Sequence, residues 1–177
     1  MSIINRVFES LEPFMLSACT TVSKFARNRR TFYIDTSPYL TRFYLTKHAR
    51  DEGEIDPKKR LGIYLHYFHC GDVDDALHNH PWFWSFSIIL TNGYLEQRWD
   101  PRARSIQTHK LRPGSINVIR ANDFHRVDLI DPSRGAWTLF VSGRRVKEEW
   151  GFWLPGVHKF FPHHTFRRSG PRNVRFS

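Results

Sequence analysis

Apolar residues recur every three or four positions over the first part of the chain, which is the spacing of one helix face. Pro13 falls inside this pattern and cannot continue the hydrogen bonding of a helix interior, so we expect the first helix to end or divide there. Residues 1–30 are therefore predicted to be a short helical N-terminal extension. Its polar positions carry Glu9 and Glu12, which favours packing on protein over binding a membrane surface.

From residue 32 the pattern changes to short runs rich in aromatic and β-branched residues, which is typical of strands. These runs occupy residues 39–46, 61–69, 82–99, 105–110, 115–119, 124–130 and 136–142. The charged segment 47–60 is predicted to be an exposed loop. Asn92-Gly93 interrupts the third run and predicts a β-hairpin. Strands without intervening helices predict an all-β antiparallel barrel over 31–157, followed by a basic tail over 158–177.

Composition indicates the setting and the class of partner. A chain of 177 residues is long enough for one domain with a sizeable core. Cys19 and Cys70 are the only cysteines and show no pairing pattern, which favours a reducing compartment and hence the cytoplasm. No apolar run approaches the roughly 20 residues that span a bilayer, so no membrane partner is expected.

The charge is strongly basic, with a formal net charge of +10. Residues 142–177 alone contain eight lysines and arginines against two glutamates. Such a charge favours an anionic partner, either a small anionic ligand or nucleic acid bound by the basic tail. A basic tail can also serve solubility alone, so both interpretations stay open. Open sheet edges and aromatic strands would also suit a homodimer.

Two histidines, His78 and His80, lie one residue apart at the start of an aromatic run. Side chains two positions apart share one face of a strand, so both imidazoles are expected to reach one metal ion. A histidine pair that is simply exposed or hydrogen-bonded is the alternative. His125 opens another apolar run after a turn and is a candidate third ligand.

Strand alternation also predicts which neighbours face the barrel interior. It assigns Trp82 and Trp84 to the same side as the histidine pair. A two-residue hairpin at Asn92-Gly93 would extend the interior to Gln97 and leave Glu96 facing solvent. Gln97 is then the inward polar group best placed to hydrogen-bond a metal ligand.

Two segments resemble the sequence motifs of the cupin family. In residues 71–93 a glycine, the His-Asn-His triplet and a closing glycine follow the order of the first cupin motif. In residues 114–125 the second motif keeps its glycine-to-histidine spacing, although Arg120 and Asn122 replace its proline and inner glycine. The sequence HNHPW and the closing WTLFVSGRRVKEEWGFWLP are similar to those of small uncharacterised bacterial and phage cupins.

The resemblance implies a cupin jelly roll, also called a double-stranded β-helix, with metal ligands His78, His80 and His125. The glutamate that usually completes the cupin set falls at Trp84 or Ser85. A site of three histidines is similar to that of the thiol dioxygenases, which implies a divalent metal, Fe(II) before Zn, Mn or Ni. Asp74 and Asp75, in the loop before His78, are further candidate ligands because each offers a carboxylate.

Arginines and aromatic rings are the candidate substrate-binding groups. A guanidinium can hold a carboxylate or phosphate through two parallel hydrogen bonds, which makes Arg42, Arg144 and Arg145 candidates. Trp82 and Trp84 could stack on a flat substrate beside the metal.

Three functions are compatible with these features. The first is a metal-dependent enzyme, a non-haem Fe(II) dioxygenase of a small anionic or thiol-bearing substrate. The second is a non-enzymatic binding module for an anionic ligand such as a nucleotide. The third is a sugar-phosphate isomerase or epimerase, a chemistry that needs a general base near the metal. The sequence assigns no catalytic residue.

Overall fold

The computed structural model describes residues 2–34, 36–46, 61–72, 75–146, 149–165 and 174–176, the last of these by backbone alone. The helical elements are α1 (Ile3–Ser10), α2 (Glu12–Lys24) and one 3₁₀ turn (Pro155–Val157). The strands are β1 (Asn28–Ile34), β2 (Ser37–Tyr44), β3 (Gly62–Phe68), β4 (Leu77–His78), β5 (Trp84–Ile89), β6 (Tyr94–Asp100), β7 (Ser105–Leu111), β8 (Ile116–Arg120), β9 (His125–Leu129), β10 (Ala136–Ser142), β11 (Gly151–Leu154), β12 (Lys159–Pro162) and β13 (Val174–Phe176). The predicted loop 47–60 and residues 166–173 of the predicted tail lie outside the described residues.

The N-terminal helices form as the sequence predicts. Ser2 caps α1, because its hydroxyl accepts a hydrogen bond from the backbone N–H of Asn5 at 3.1 Å. Pro13 lies in the first turn of α2, where its missing N–H costs no helical hydrogen bond. Phe8 and Cys19 belong to the apolar cluster that joins the helices to the barrel. No helix among the described residues is both long and apolar enough to cross a bilayer.

Two antiparallel sheets form the body of the protein. One has the strand order β13-β1-β2-β3-β10-β5-β8, and the other has the order β12-β11-β4-β9-β6-β7. Strands β3 to β10 are divided between the sheets: β3, β10, β5 and β8 lie in one, and β4, β9, β6 and β7 lie in the other. This is the eight-stranded double Greek key of a jelly roll. The prediction of an all-β cupin-type jelly roll with a helical N-terminal extension is confirmed.

The core lies between these sheets. One buried cluster combines Ile89 and Ala136 of the first sheet with Tyr94, Val127 and Leu129 of the second. The helices cover the outer face of the first sheet, where a second cluster includes Leu65 and Trp137. Apolar contacts thus cover both faces of the first sheet: one face packs on the second sheet and the other on the helices.

The predicted hairpin at Asn92-Gly93 is wrong in its pairing. Both residues adopt positive φ, 57° and 98°, as a tight turn requires. However, β5 pairs with β10 and β8, whereas β6 pairs with β9 and β7. The turn therefore carries the chain from one sheet to the other, and strand alternation cannot be continued across it.

The chain also changes sheets between β4 and β5, so strand alternation cannot be continued from His80 to Trp84 either. Ser85, Ser87 and Ile89 are the buried positions of β5, and Trp84 lies on the opposite side of the strand. On β6, after the turn at Asn92-Gly93, the buried positions are Tyr94 and Glu96, each with 2% of its surface exposed, so the prediction that Glu96 faces solvent is wrong.

Strands β11 and β12 were not predicted from the sequence, and β11 pairs with the strand that carries one of the predicted ligands. β11 pairs with β4 through Phe152 and His78, and β12 pairs with the other side of β11. β4 is only two residues long, and this pairing gives it a neighbour on each side because His78 also pairs with His125 of β9. The residues after β10 thus help to fix one of the predicted ligands.

Candidate metal centre

Three histidines converge between the ends of β4 and β9. One ring nitrogen from each of His78, His80 and His125 lies within 4.8 Å of the others. The centroid of the His78 ring lies 4.6 Å from that of His125, and the His80 ring lies 5.1 Å from each of the other two. The structure therefore brings together the three histidines that the sequence singled out, although 45 residues separate the second from the third.

The residue between the paired histidines locks their orientation. Asn79 is buried; its backbone N–H donates to the carbonyl of Gly151 at 3.1 Å, and its side-chain oxygen accepts from the N–H of Gly151 at 2.9 Å. This two-bond clamp ties the His-x-His segment to β11. An asparagine at this position thus holds its two neighbours facing the site.

Two of the imidazoles point their Nε2 atoms at each other. His80 Nε2 and His125 Nε2 are 2.9 Å apart. Two nitrogens that bind one ion at about 2.1 Å and at right angles would be about 3.0 Å apart. The observed separation therefore fits two neighbouring ligands of a single metal ion. Without an ion the same distance requires one of the two nitrogens to donate its proton to the other.

The other nitrogen of His125 is held by a buried carboxylate. His125 Nδ1 lies 2.7 Å from Glu96 Oε1, which also accepts hydrogen bonds from Arg98 Nη2 at 3.0 Å and Asn117 Nδ2 at 2.9 Å. A carboxylate at Nδ1 fixes the tautomer that leaves Nε2 available to a metal. Strand alternation through the expected hairpin predicted Gln97 in this role. Glu96 occupies it instead, because that hairpin does not form and the faces of β6 are reversed.

Charges and hydrogen bonds keep Glu96 ionised. Burial by itself raises the pKa of its carboxyl, but the hydrogen bond and charge of His125, together with Arg98 and Asn117, lower that pKa to about 2. The neighbour Tyr94 is buried and its pKa is raised, mainly by desolvation. The phenol therefore stays neutral beside this carboxylate.

His78 also has a carboxylate near its Nδ1. Asp72 Oδ2 lies 3.8 Å away, and the same oxygen accepts the backbone N–H of Val127 at 2.7 Å. Its other oxygen accepts the hydroxyl of Tyr39 at 2.6 Å. Sequence analysis missed Asp72 and named Asp74 and Asp75. Asp74 lies outside the described residues, and the exposed Asp75 pairs with Arg126.

Burial keeps the paired histidines neutral. Desolvation lowers the pKa of His78 to about 4, although Asp72 raises it in part. Desolvation and the neighbouring histidines hold the pKa of His80 well below its usual range. Neutral imidazoles offer free lone pairs, which is the form that metals bind.

Aromatic rings and one arginine form the wall beside His80. The Trp82 ring stacks on His80 with centroids 5.5 Å apart and an angle of 22°. The guanidinium carbon of Arg42 lies 6.0 Å from the Trp82 ring and 5.0 Å from that of Tyr64. Arg42 Nε donates to His66 Nε2 at 2.9 Å. Arg42 and Trp82, both predicted to bind substrate, thus lie next to the histidine cluster.

The remaining predicted substrate residues lie farther out. Arg145 forms a backbone bridge with Trp82 and is half-buried, while Arg144 is exposed with its guanidinium 5.7 Å from the Phe83 ring. Trp84 stacks on Phe86 on the outer face of the first sheet. The prediction that Trp84 faces the interior is wrong, for the reason given for β5.

Comparisons with known proteins found structural similarity at low sequence identity. No protein-family model and no curated protein match the chain. Among solved structures, hydroxypropylphosphonic acid epoxidase from S. wedmorenis is 14% identical with a TM-score of 0.45, covering 64% of this chain and 55% of its own. A putative mannose-6-phosphate isomerase from Ralstonia eutropha is 15% identical with a TM-score of 0.47, covering 62% of this chain and 89% of its own. The chain thus spans about half the length of the epoxidase.

Proposed function

We propose that this protein is a metal-dependent cupin enzyme, a non-haem Fe(II) dioxygenase of a small anionic or thiol-bearing substrate. The observation that carries the proposal is the convergence of three imidazoles, with His125 oriented by the buried carboxylate of Glu96. A histidine set built only for stability would not need a carboxylate behind one ring and neutral nitrogens turned toward a common point.

The donor set supports a metal of intermediate softness. Imidazole nitrogen suits iron, zinc, nickel and copper, and three neutral ligands leave the whole +2 charge of the ion to attract an anion or thiolate. Bound Fe(II) would supply open positions for oxygen and substrate and would pass electrons from the substrate, which is oxidised, to oxygen, which is reduced. His78, His80 and His125 would hold it, while Glu96 keeps the proton of His125 on Nδ1.

Arg42 and Trp82 are proposed to bind the substrate. The guanidinium of Arg42 lies close to three aromatic rings, those of Phe32, Tyr64 and Trp82. Such stacking restrains a guanidinium and reduces the entropy lost when it binds a carboxylate or phosphate. Because Trp82 contacts both Arg42 and His80, an anionic group held at Arg42 would lie beside the ring that stacks on one of the proposed ligands. Arg145 is proposed to hold Trp82 in place through the backbone bridge between the two residues.

The test is metal analysis followed by oxygen uptake. Protein without a histidine tag is loaded anaerobically with Fe(II), Zn(II), Mn(II) or Ni(II), and the bound metal is counted. Oxygen uptake of the iron form is then measured with a panel of small carboxylates, phosphates and thiols. His80→Ala is expected to abolish metal retention and uptake, whereas His109→Ala, at an exposed histidine on β7, keeps both. Absence of retained metal and of uptake in the unmutated protein would refute the proposal.

A binding module for an anionic ligand such as a nucleotide is the second candidate. The observation that favours it is the Arg42 wall, since recognition by a guanidinium and aromatic rings needs no metal. In protein treated with a chelator, nucleotides would raise the melting temperature, and Arg42→Gln would remove this rise. An isomerase is less well supported, because Glu96 and Asp72 both lie behind the imidazoles at their Nδ1 atoms.

A further inference from the structure

The N-terminal helices expose an apolar surface that the barrel does not use. We call it the helix ridge. Its members are exposed apolar side chains of α1, α2 and their junctions: Ile3, Ile4, Val7, Leu11, Phe14, Leu16, Val22 and Phe25. Two of them are nearly as exposed as in an extended chain, Ile3 at 82% and Phe25 at 81%. Folding therefore leaves eight large apolar side chains of one short segment exposed to water, and an accumulation of exposed apolar groups is a mark of an interaction surface.

The barrel face of the same helices is already occupied. Phe8, Met15 and Cys19 pack into the cluster beneath the helices. Asn5 donates from its side chain to the carbonyl of Pro113 at 2.7 Å. The most exposed members of the helix ridge, Ile3, Phe14 and Phe25, take no part in these contacts, whereas Ile4 also approaches the barrel at Gly114.

Both acidic residues of the extension point toward the barrel. Glu9 pairs with Arg112 at 3.2 Å, and Glu12 pairs with Arg134 at 2.6 Å. Glu12 also accepts the backbone N–H of Asn92 at 2.8 Å. Their presence in the sequence argued against a membrane surface, but the structure shows that they neutralise barrel arginines and take no part in the outward face.

The outward face carries positive charge instead. Arg6, Lys24, Arg27 and Arg29 are exposed on or directly after the helices. A second copy of the chain would bring the same cations and another net charge of +10 against this face. An anionic lipid surface has the complementary charge, and each basic residue near it contributes about 1 kcal/mol of attraction. Apolar side chains flanked by basic ones are the features by which interfacial helices bind membranes.

We propose that the helix ridge docks the protein on anionic membrane surfaces, with Phe14 and Phe25 entering the headgroup boundary and the basic side chains binding lipid phosphates. The barrel would then lie against the bilayer through its N-terminal extension. This inference is independent of the metal chemistry.

Vesicle sedimentation with the full chain tests it. Wild-type protein is expected to bind vesicles of phosphatidylcholine with about 30 mol % phosphatidylglycerol, to bind pure phosphatidylcholine weakly, and to be released by salt. The double substitution Phe14→Gln and Phe25→Gln should lower the partition coefficient about tenfold or more. The control Val157→Gln changes an apolar residue with comparable exposure, 67%, on the 3₁₀ turn, and should bind like wild type.

Charge is tested separately. Lys24→Gln with Arg27→Gln should weaken binding to anionic vesicles, whereas the same charge change at Arg102 and Lys110, which are exposed on the barrel, should not. The proposal is overturned if wild type does not bind anionic vesicles or if the phenylalanine variant binds as wild type does. It is equally overturned if sedimentation velocity shows a dimer that the phenylalanine substitutions dissociate. Circular dichroism and an unchanged melting temperature confirm that each variant is folded.

Discussion

Replacing Glu96 with glutamine tests whether the buried carboxylate stabilises the site. The side chain is 2% exposed, and its Oε1 accepts hydrogen bonds from His125, Arg98 and Asn117. Glutamine keeps the shape and removes the charge. Because all three bonds end on the same oxygen, the amide oxygen of glutamine can take its place, but it accepts them without the negative charge. Leaving a buried donor without its charged acceptor is strongly destabilising.

The magnitude follows from the pKa of Glu96. That pKa is lowered from 4.5 to about 2, and at about 1.4 kcal/mol per pKa unit the ionised carboxylate contributes about 3 kcal/mol to folding at neutral pH. Because the folded-state pKa is the lower one, this contribution is fully present above pH 4.5 and is lost as the pH falls toward 2.

Denaturant unfolding and metal titration measure the two effects of Glu96→Gln. At pH 7 the variant should lose about 3 kcal/mol of unfolding free energy, and this deficit should shrink as the pH is lowered below 4.5. Metal affinity should fall by about 10- to 100-fold, since His125 loses the carboxylate that fixes its tautomer. Glu9→Gln is the matched control, because its half-exposed pair with Arg112 is worth at most about 1 kcal/mol. Equal stability and equal metal affinity of Glu96→Gln and wild type would refute the reasoning.

Further predictions concern the ligands, the pH and the turn before β4. His78→Ala should lower bound metal to background by elemental analysis, while His158→Ala should not, because His158 lies outside the cluster. Burial lowers the pKa of His78 to about 4 from 6.5, so the apo protein should lose stability progressively as the pH falls from 6.5 toward 4, and a melting series that stays flat over this window would contradict the assignment. Gly71→Ala should cost about 1–3 kcal/mol, because its new Cβ would lie 2.8 Å from Asp128 Cα; Gly156→Ala, with nothing within 4 Å, should unfold like wild type.

The sequence was sufficient to identify the three histidines and the all-β class. Period-two alternation placed His78 and His80 on one face, and the motif spacing singled out His125; the structure brings all three together. Their binding of metal stays a prediction. These inferences succeeded because each depends on spacing within one short segment or on a resemblance that preserves such spacing.

Sequence reasoning failed where the chain changes sheets. Asn92 and Gly93 do form a tight turn, but the same dipeptide serves a hairpin and a sheet crossing, and local φ preferences do not distinguish them. The wrong pairing across this turn led to Gln97 instead of Glu96 being assigned to the interior. Trp84 was assigned to the interior because alternation was continued from His80 into β5, which lies in the other sheet. A buried glutamate is costly unless it is paired, so only knowledge that Arg98 and His125 share its face would have placed it inside. Asp72 was missed because its support for His78 depends on the fold of β9.

The turn at Asn92 also determines where the chain can be cut. Its side chain donates to the carbonyls of Asp131 and Arg134 at 2.9 and 2.8 Å, while its backbone N–H is held by Glu12 of α2. A shortened chain that begins after α2 would free this N–H, leave Arg134 without its carboxylate and uncover Trp137. The smallest unit to express, and the fragment that should survive limited proteolysis, therefore includes both helices as well as the barrel.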